Sequence, residues 1–346
     1  KLRAVGGEGQ GNEAAGQALQ REQVYFAMPF VEGQLPSGQW RVGIVAQTGV
    51  LADGPLLLAA LSLGAQEAEY PEPEVGPLRI PDIVITGADA VIIGAPYVAS
   101  DTPKYAGVDR SEWLAAPLRV RQQSIRYQSG YVQEFDLDVF DYIKAVDYGD
   151  AEIPPEVMND QSPENILRAQ AAVVEKVGHA LDAGAVPVVI GQNSPCGSYA
   201  IAKPIAERIQ GAVGCVSLDT HWDVQPLDHL TGDPRIAGSG SWKAKMFEWH
   251  DNMDPRHLVE IGERGLLERK DLVRKYLREG ARFISTWELR TSLGIEGLIA
   301  ELDRAYDGTE GVYAHFDMDV MGGAGPAPGD ILGEAAEPIA MTDYEI

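Results

Sequence analysis

From residue 90 onward, short unbroken apolar runs alternate with longer stretches of helical spacing. The runs lie at 90–93, 187–190, 213–218, 258–261, 282–286 and 312–316. They are continuous rather than alternating, which predicts strands covered on both faces. Between them, Ser162-Pro163-Glu164 is a helix start, with Ser162 as N-cap and Pro163 at the first helical position, and Gly184 ends that helix. Residues 271–279 and 295–306 also have helical spacing and are followed by Gly280 and Gly308. Strand–helix–strand repetition of this kind predicts an α/β fold in three layers, a doubly wound, mostly parallel sheet between two layers of helix. Residues 1–80 are irregular, rich in Gly and Pro, with one short apolar run at 42–46. They read as an N-terminal extension that wraps a neighbouring subunit, ahead of one α/β domain over 81–346.

A doubly wound sheet places its site at the carboxyl ends of its strands, and two acidic clusters fall there. Asp219-Thr220-His221-Trp222-Asp223 follows the run ending at Leu218, and His315-Phe316-Asp317-Met318-Asp319 closes the last run. Residues two apart on an extended chain point the same way, so Asp219, His221 and Asp223 converge if the chain stays extended. His315, Asp317 and Asp319 do likewise. Carboxylates with imidazole suit Mn, Ni, Zn or Fe, and carboxylates able to bridge favour two metals. A lone DxD is commonly a solvated turn; two such clusters, each after a buried strand, make a metal site the stronger reading.

The bulk chemistry narrows the partners. The 346 residues carry a net charge of −24 and a pI near 4.5. Such a surface repels phosphate backbones, so no nucleic-acid partner is expected, and it attracts cations. A merely well-hydrated surface is the simpler explanation of the charge. Cys196 and Cys215 allow at most one bridge and lie in no CxxC pattern; reduced, half-buried thiols in a cytoplasmic protein are expected. The longest apolar stretch, 55–65, is too short to span a bilayer. No signal peptide is visible, and the chain opens at Lys1 without a methionine, so its natural start is expected upstream.

The clusters also carry a resemblance. Asp219-Thr220-His221-Trp222-Asp223 is similar to the DAHxD motif of the ureohydrolases (arginase, agmatinase and relatives), and His315-Phe316-Asp317-Met318-Asp319 to their SxDxD motif. In the same order, 187–191 resembles the strand leading into GGDHS, 258–265 the middle strand with its G-x-R-G ending, Ala327-Pro328-Gly329 the APG, and 337–342 the PEPGGLT segment. The resemblance spans about 85–346. It implies an arginase-like fold and a two-metal hydrolase, binding Mn or Ni, in which activated water attacks a guanidinium or amidine carbon. Carried over, Asp219 and Asp317 bridge the metals, Asp223 serves one, and His221 and Asp319 serve the other. Glu337 holds the cationic guanidinium, whose planar fork fits a carboxylate. The resemblance further implies trimers or hexamers, and more strands and helices beyond the position of Ile346.

Departures from the motifs are as informative as the matches. Where GGDHS supplies a ligand histidine, this chain has Gly191-Gln192-Asn193-Ser194-Pro195-Cys196, so the position falls on Asn193 or Ser194. An amide oxygen is a weaker donor to a transition metal than imidazole. The loop that supplies a proton-shuttling histidine maps near Ser239-Gly240-Ser241-Trp242, with His229 and His250 flanking it, and Met321-Gly322-Gly323 replaces the Asp-Pro after SxDxD. His315, where relatives have serine, reads as a packed histidine beneath the site or else as a substitute ligand. Trp222 and Trp242 either line the pocket for an alkylated cation or plug it.

Three readings follow. The chain resembles the ligand-poor subunit of heteromeric guanidine and biguanide hydrolases such as metformin hydrolase, supporting a paralogous ureohydrolase subunit, with its own metal site at reduced occupancy or empty. Alternatively it is an active guanidine- or agmatine-type hydrolase with an altered metal site. A third reading is a non-catalytic protein that binds a cationic guanidine-type small molecule.

Overall fold

The computed structural model describes residues 84–97, 114–126, 129–158, 160–191, 196–228, 231–262, 269–321, 341–342 and 345–346. The expected N-terminal extension over 1–80 lies outside the described residues, as do Asn193, Ser194, His229, the 263–268 and 327–329 motif segments and Glu337. The described strands are β1 (Ala90–Gly94), β2 (Tyr131–Val132), β3 (Leu137–Asp138), β4 (Ala145–Asp150), β5 (Val186–Ile190), β6 (Val213–Leu218), β7 (Met253–Ile261), β8 (Arg282–Ile284) and β9 (Gly311–Phe316). The longer helices are α1 (Ala116–Ser124), α2 (Pro163–Asp182), α3 (Tyr199–Arg208), α4 (Trp242–Trp249), α5 (Lys270–Arg278) and α6 (Gly294–Tyr306).

Among the described residues, β4-β1-β5 form one parallel sheet, β8-β7-β6-β9 a second, and β2-β3 a small antiparallel ladder. Side chains alternate across these strands and so feed two different layers. In the second sheet, Val213, Cys215, Leu258 and Tyr313 join a large core with α2, α3 and α4, while Val216, Val259, Ile261 and Val312 meet Leu298 and Ala305 of α6. In the first, Val91 and Ile93 pack with Ile166, Val173 and Val177 of α2, and Ile92, Ala145 and Val188 form a small cluster on the other face. Both faces are covered, which is why these strands read as unbroken apolar runs. Cys196 and Cys215 are in no disulfide and are buried, deeper than the half-buried thiols expected.

The differences from the sequence pattern have local causes. β4 carries Asp147 and Asp150, which break up its apolar run. Both are buried because Arg121 of α1 reaches them, at 2.7 Å from Nε to Asp147 and 2.6 Å from Nη1 to Asp150. Pro204 inside α3 obscured that helix. The run expected over 282–286 ends at Ile284, because the Ser285 hydroxyl accepts the Glu288 N–H and starts a helical turn. Ser162 does stand at the N-cap of α2, but its side chain makes no capping bond. Close packing of α6 against β6 depends on Gly214, where an added Cβ would strike the Ala305 carbonyl. We expect Gly214→Ala to lose about 1–3 kcal/mol in chemical denaturation.

Candidate metal centre

The carboxyl ends of β6 and β9 are neighbours in the sheet, and backbone bonds carry that pairing past the last strand residues. The Asp317 N–H donates to the Leu218 carbonyl at 2.8 Å, and on the other side of β6 the Asp219 N–H donates to the Ile261 carbonyl of β7 at 3.0 Å. Both acidic segments then turn instead of staying extended, so the convergence comes about differently from the expectation. Asp219 Oδ1 accepts the His221 N–H at 2.8 Å, and Asp317 Oδ1 accepts the Asp319 N–H at 3.0 Å. Asp319 reaches across, with Oδ1 accepting the Thr220 N–H at 3.0 Å and Oδ2 lying 2.9 Å from His221 Nδ1.

The result is two overlapping sets of donors whose ligand atoms lie within 4.8 Å of one another: Asp219, His221 and Asp319, and Asp219, His315 and Asp317. Carboxylate and imidazole at this density match a divalent transition ion. Asp223 joins neither set. Its backbone is left-handed, with φ of 52°, and its Oδ2 accepts the Trp242 indole N–H at 2.8 Å. His315 is buried beneath the cluster, with Nδ1 3.2 Å from the Ser217 hydroxyl and Nε2 3.3 Å from that of Ser198. It is therefore both packed and within reach of the site. Trp222 and Trp242 are wholly buried, Trp222 against Phe283 and Trp242 against His315 and Tyr313, so neither forms an open wall. Ser239 is half-buried in the turn before α4. His250 closes the opposite end of that helix, 2.8 Å from the Tyr199 hydroxyl.

One group at the centre was not foreseen. Lys243, in the first turn of α4, is wholly buried, with Nζ 3.3 Å from Asp219 Oδ2, 3.0 Å from Glu260 Oε2 and 3.2 Å from the His221 carbonyl. Two signals in the sequence pointed to it: a glutamate in the middle of the apolar run 258–261, and a lysine directly after Trp242 in the altered loop. Burial opposes charge on Lys243, but Glu260, Asp219 and Asp223 outweigh it and hold the ammonium above its ordinary value. Burial raises the Glu260 carboxyl, with the ammonium opposing it.

Crowding of acids shifts the cluster further. Burial, then the charges of Asp219 and Asp319, push Asp317 up to about 8. Burial works against a protonated His221, yet the Asp319 hydrogen bond and the surrounding carboxylates raise it to about 9. Burial and the Lys243 charge hold His315 well below its usual range, hence neutral. In the metal-free protein, folded Asp317 keeps a proton that the unfolded chain releases near pH ~3.9, and folded His221 keeps one released near ~6.5. The folded state then binds more protons, so stability falls as pH rises from about 4 through about 9. The Tm of metal-free protein is expected to be lower at pH 8 than at pH 5, with Asp317→Asn reducing the slope.

Comparison with known proteins identifies the family and the fold. The arginase-family profile matches residues 88–329. Formimidoylglutamase of Halobacterium salinarum is 27% identical over 268 residues, covering 75% of this chain and 77% of that protein. Proclavaminate amidino hydrolase from Streptomyces clavuligerus superposes with a TM-score of 0.53 at 25% identity, covering 72% of this chain and 77% of the other. The formiminoglutamase of Trypanosoma cruzi with Mn2+ gives 0.57 at 22% identity, over 75% and 78%, a likeness of fold. The matched segment contains both strand ends and both acidic turns, and the chain belongs to the arginase family.

Proposed function

We propose that the chain is a metal-dependent hydrolase that cleaves a C–N bond of an amidino or guanidino compound through an altered metal centre. One observation carries this reading. Asp219, His221, Asp317 and Asp319 come together from two strand ends into one cluster, although the loop supplying the further histidine has diverged. From this cluster, Asp219 with His221 and Asp319, or with Asp317, would hold a divalent ion, Mn or Ni. When bound, such an ion supplies an activated water near neutral pH and polarises the group attacked.

The protein's own residues do the rest. The acidic cluster favours a cationic amidinium or guanidinium over a neutral ligand, and Glu337 is the residue proposed to clamp its planar fork. The leaving amine needs a proton. Ser239 stands near where relatives place a shuttling histidine, so solvent is the proposed proton source here. The names of the relatives, a formimidoylglutamase and a proclavaminate amidino hydrolase, make amidino-bearing amino-acid derivatives the first substrates to test, beside agmatine, alkylguanidines and biguanides.

A second reading is favoured by a specific contact. Asp223 is engaged by the Trp242 indole, and Lys243 lies inside the donor set, which fits a chain that supports a ligand-complete paralogue in a trimer or hexamer. Purified chain loaded with Mn or Ni is expected to release urea, ammonia or formamide from one of these compounds. Turnover should vanish with a chelator and return with metal. No release from any of them, alone or co-expressed with a second ureohydrolase, would overturn the hydrolase reading. Activity only on co-expression, unaffected by Asp317→Asn in this chain, would select the supporting role.

A further inference from the structure

We propose that the centre takes one divalent cation rather than two, bound on the His221 side, and that the ammonium of Lys243 is a built-in cation occupying the charge requirement of the other position. This rests on the reading of the cluster as a metal centre and adds to it. Asp219 is wholly buried and faces two ways. Its Oδ1 is turned to His221, accepting the backbone N–H at 2.8 Å with Nδ1 at 3.8 Å. Its Oδ2 is turned to Lys243 Nζ at 3.3 Å and to His315 Nδ1 at 3.9 Å. The donors divide along the same line, His221 with Asp319 on one side and His315 with Asp317 on the other.

The two sides differ in what they already contain. On the first, His221 is bordered by carboxylates, and its side chain keeps 20% exposure, a route of entry for an ion. On the second, Asp317 is partly exposed, but the groups beneath it are closed in. Trp242 stacks 4.7 Å from the His315 ring, both ring nitrogens of His315 lie against serine hydroxyls, and Lys243 and Glu260 are wholly buried. Asp223, a candidate ligand for that position, is turned to the Trp242 indole instead. A metal–oxygen bond is about 2.2 Å. A metal on Asp219 Oδ2 would therefore stand no more than about 5.5 Å from the ammonium, and Asp219 and Lys243 are both wholly buried, where charges repel more strongly than in water. Lys243 has nowhere to retreat, since Asp219, Glu260 and the His221 carbonyl hold its nitrogen on three sides. The fold thus fits one divalent ion and does not fit a pair.

The test is metal stoichiometry. The purified full chain, stripped and titrated with MnCl2, is expected to bind one equivalent by elemental analysis, with the paramagnetic resonance spectrum of isolated Mn(II). His221→Ala should lose that equivalent. Lys243→Met, or the charge-balanced Lys243→Met/Glu260→Gln if the single variant does not fold, should bind the second equivalent at least ~10-fold more tightly, with a coupled spectrum. Two equivalents in the unaltered chain would overturn the inference and leave the metal-centre reading standing. No binding at all would overturn both. A folded lysine variant that still binds one equivalent would show that Lys243 does not exclude the second and overturn its assigned role; retention by His221→Ala would overturn the placement.

Discussion

Lys243→Met is expected to destabilise the protein by about 3–5 kcal/mol, the usual cost of removing one member of a buried ion pair. Methionine fills nearly the same volume, so little of the loss would come from packing. The cost arises because Glu260, wholly buried, keeps among the described residues only the Ser217 hydroxyl, at 3.2 Å, in place of the ammonium. It must then hold a charge without a counterion or take up a proton. Asp219 loses the same partner. Replacing both ends, Lys243→Met/Glu260→Gln, should restore the part of the loss that lies at Glu260, while Asp219 stays without its ammonium. Chemical denaturation of the two variants checks this. Equal losses would place the effect in packing rather than charge.

Asp219→Asn should lower Mn affinity by at least ~100-fold and reduce any turnover with it, given that even partners one step removed from a metal cost 10–100-fold. The carboxylate has a donor on each oxygen, the His221 N–H on Oδ1 and the Lys243 ammonium on Oδ2. An asparagine amide nitrogen only donates, so in either orientation it faces a donor. The substitution therefore removes both the charge and the hydrogen-bond fit at the residue shared by the two donor sets. Isothermal titration with MnCl2 reads the affinity, and denaturation of the metal-free protein separates it from misfolding.

The sheet was readable wherever a strand is apolar on both faces. β6 matched its apolar run fully, and β1, β5 and β9 matched within one residue at an end. β4 was not readable, because Asp147 and Asp150 are buried by a partner, Arg121, that lies more than 20 residues upstream. Local pattern carries no record of such a pairing. α3 was hidden by Pro204, and α4 begins at Trp242, where the sequence placed only the end of a loop motif. The acidic clusters were legible in position but not in path. Extended geometry put Asp223 with Asp219 and His221, whereas a left-handed residue directs it to Trp242. Lys243 and Glu260 went unpaired in the sequence reading because a lysine is ordinarily a surface residue. Only the fold brings the first turn of α4 over the carboxyl end of β7.

The Lys243–Glu260 contact also constrains how this sequence is able to drift. A substitution that removes the lysine leaves a lone acid in the core, and one that removes the glutamate leaves a cation with Asp219 as its remaining charged partner within bonding distance. Each single step passes through a damaged intermediate, while the paired step does not. The two codons are thus entrenched by one another. A change that made room for a second ion would have to alter both together and rebuild the turn at Asp223.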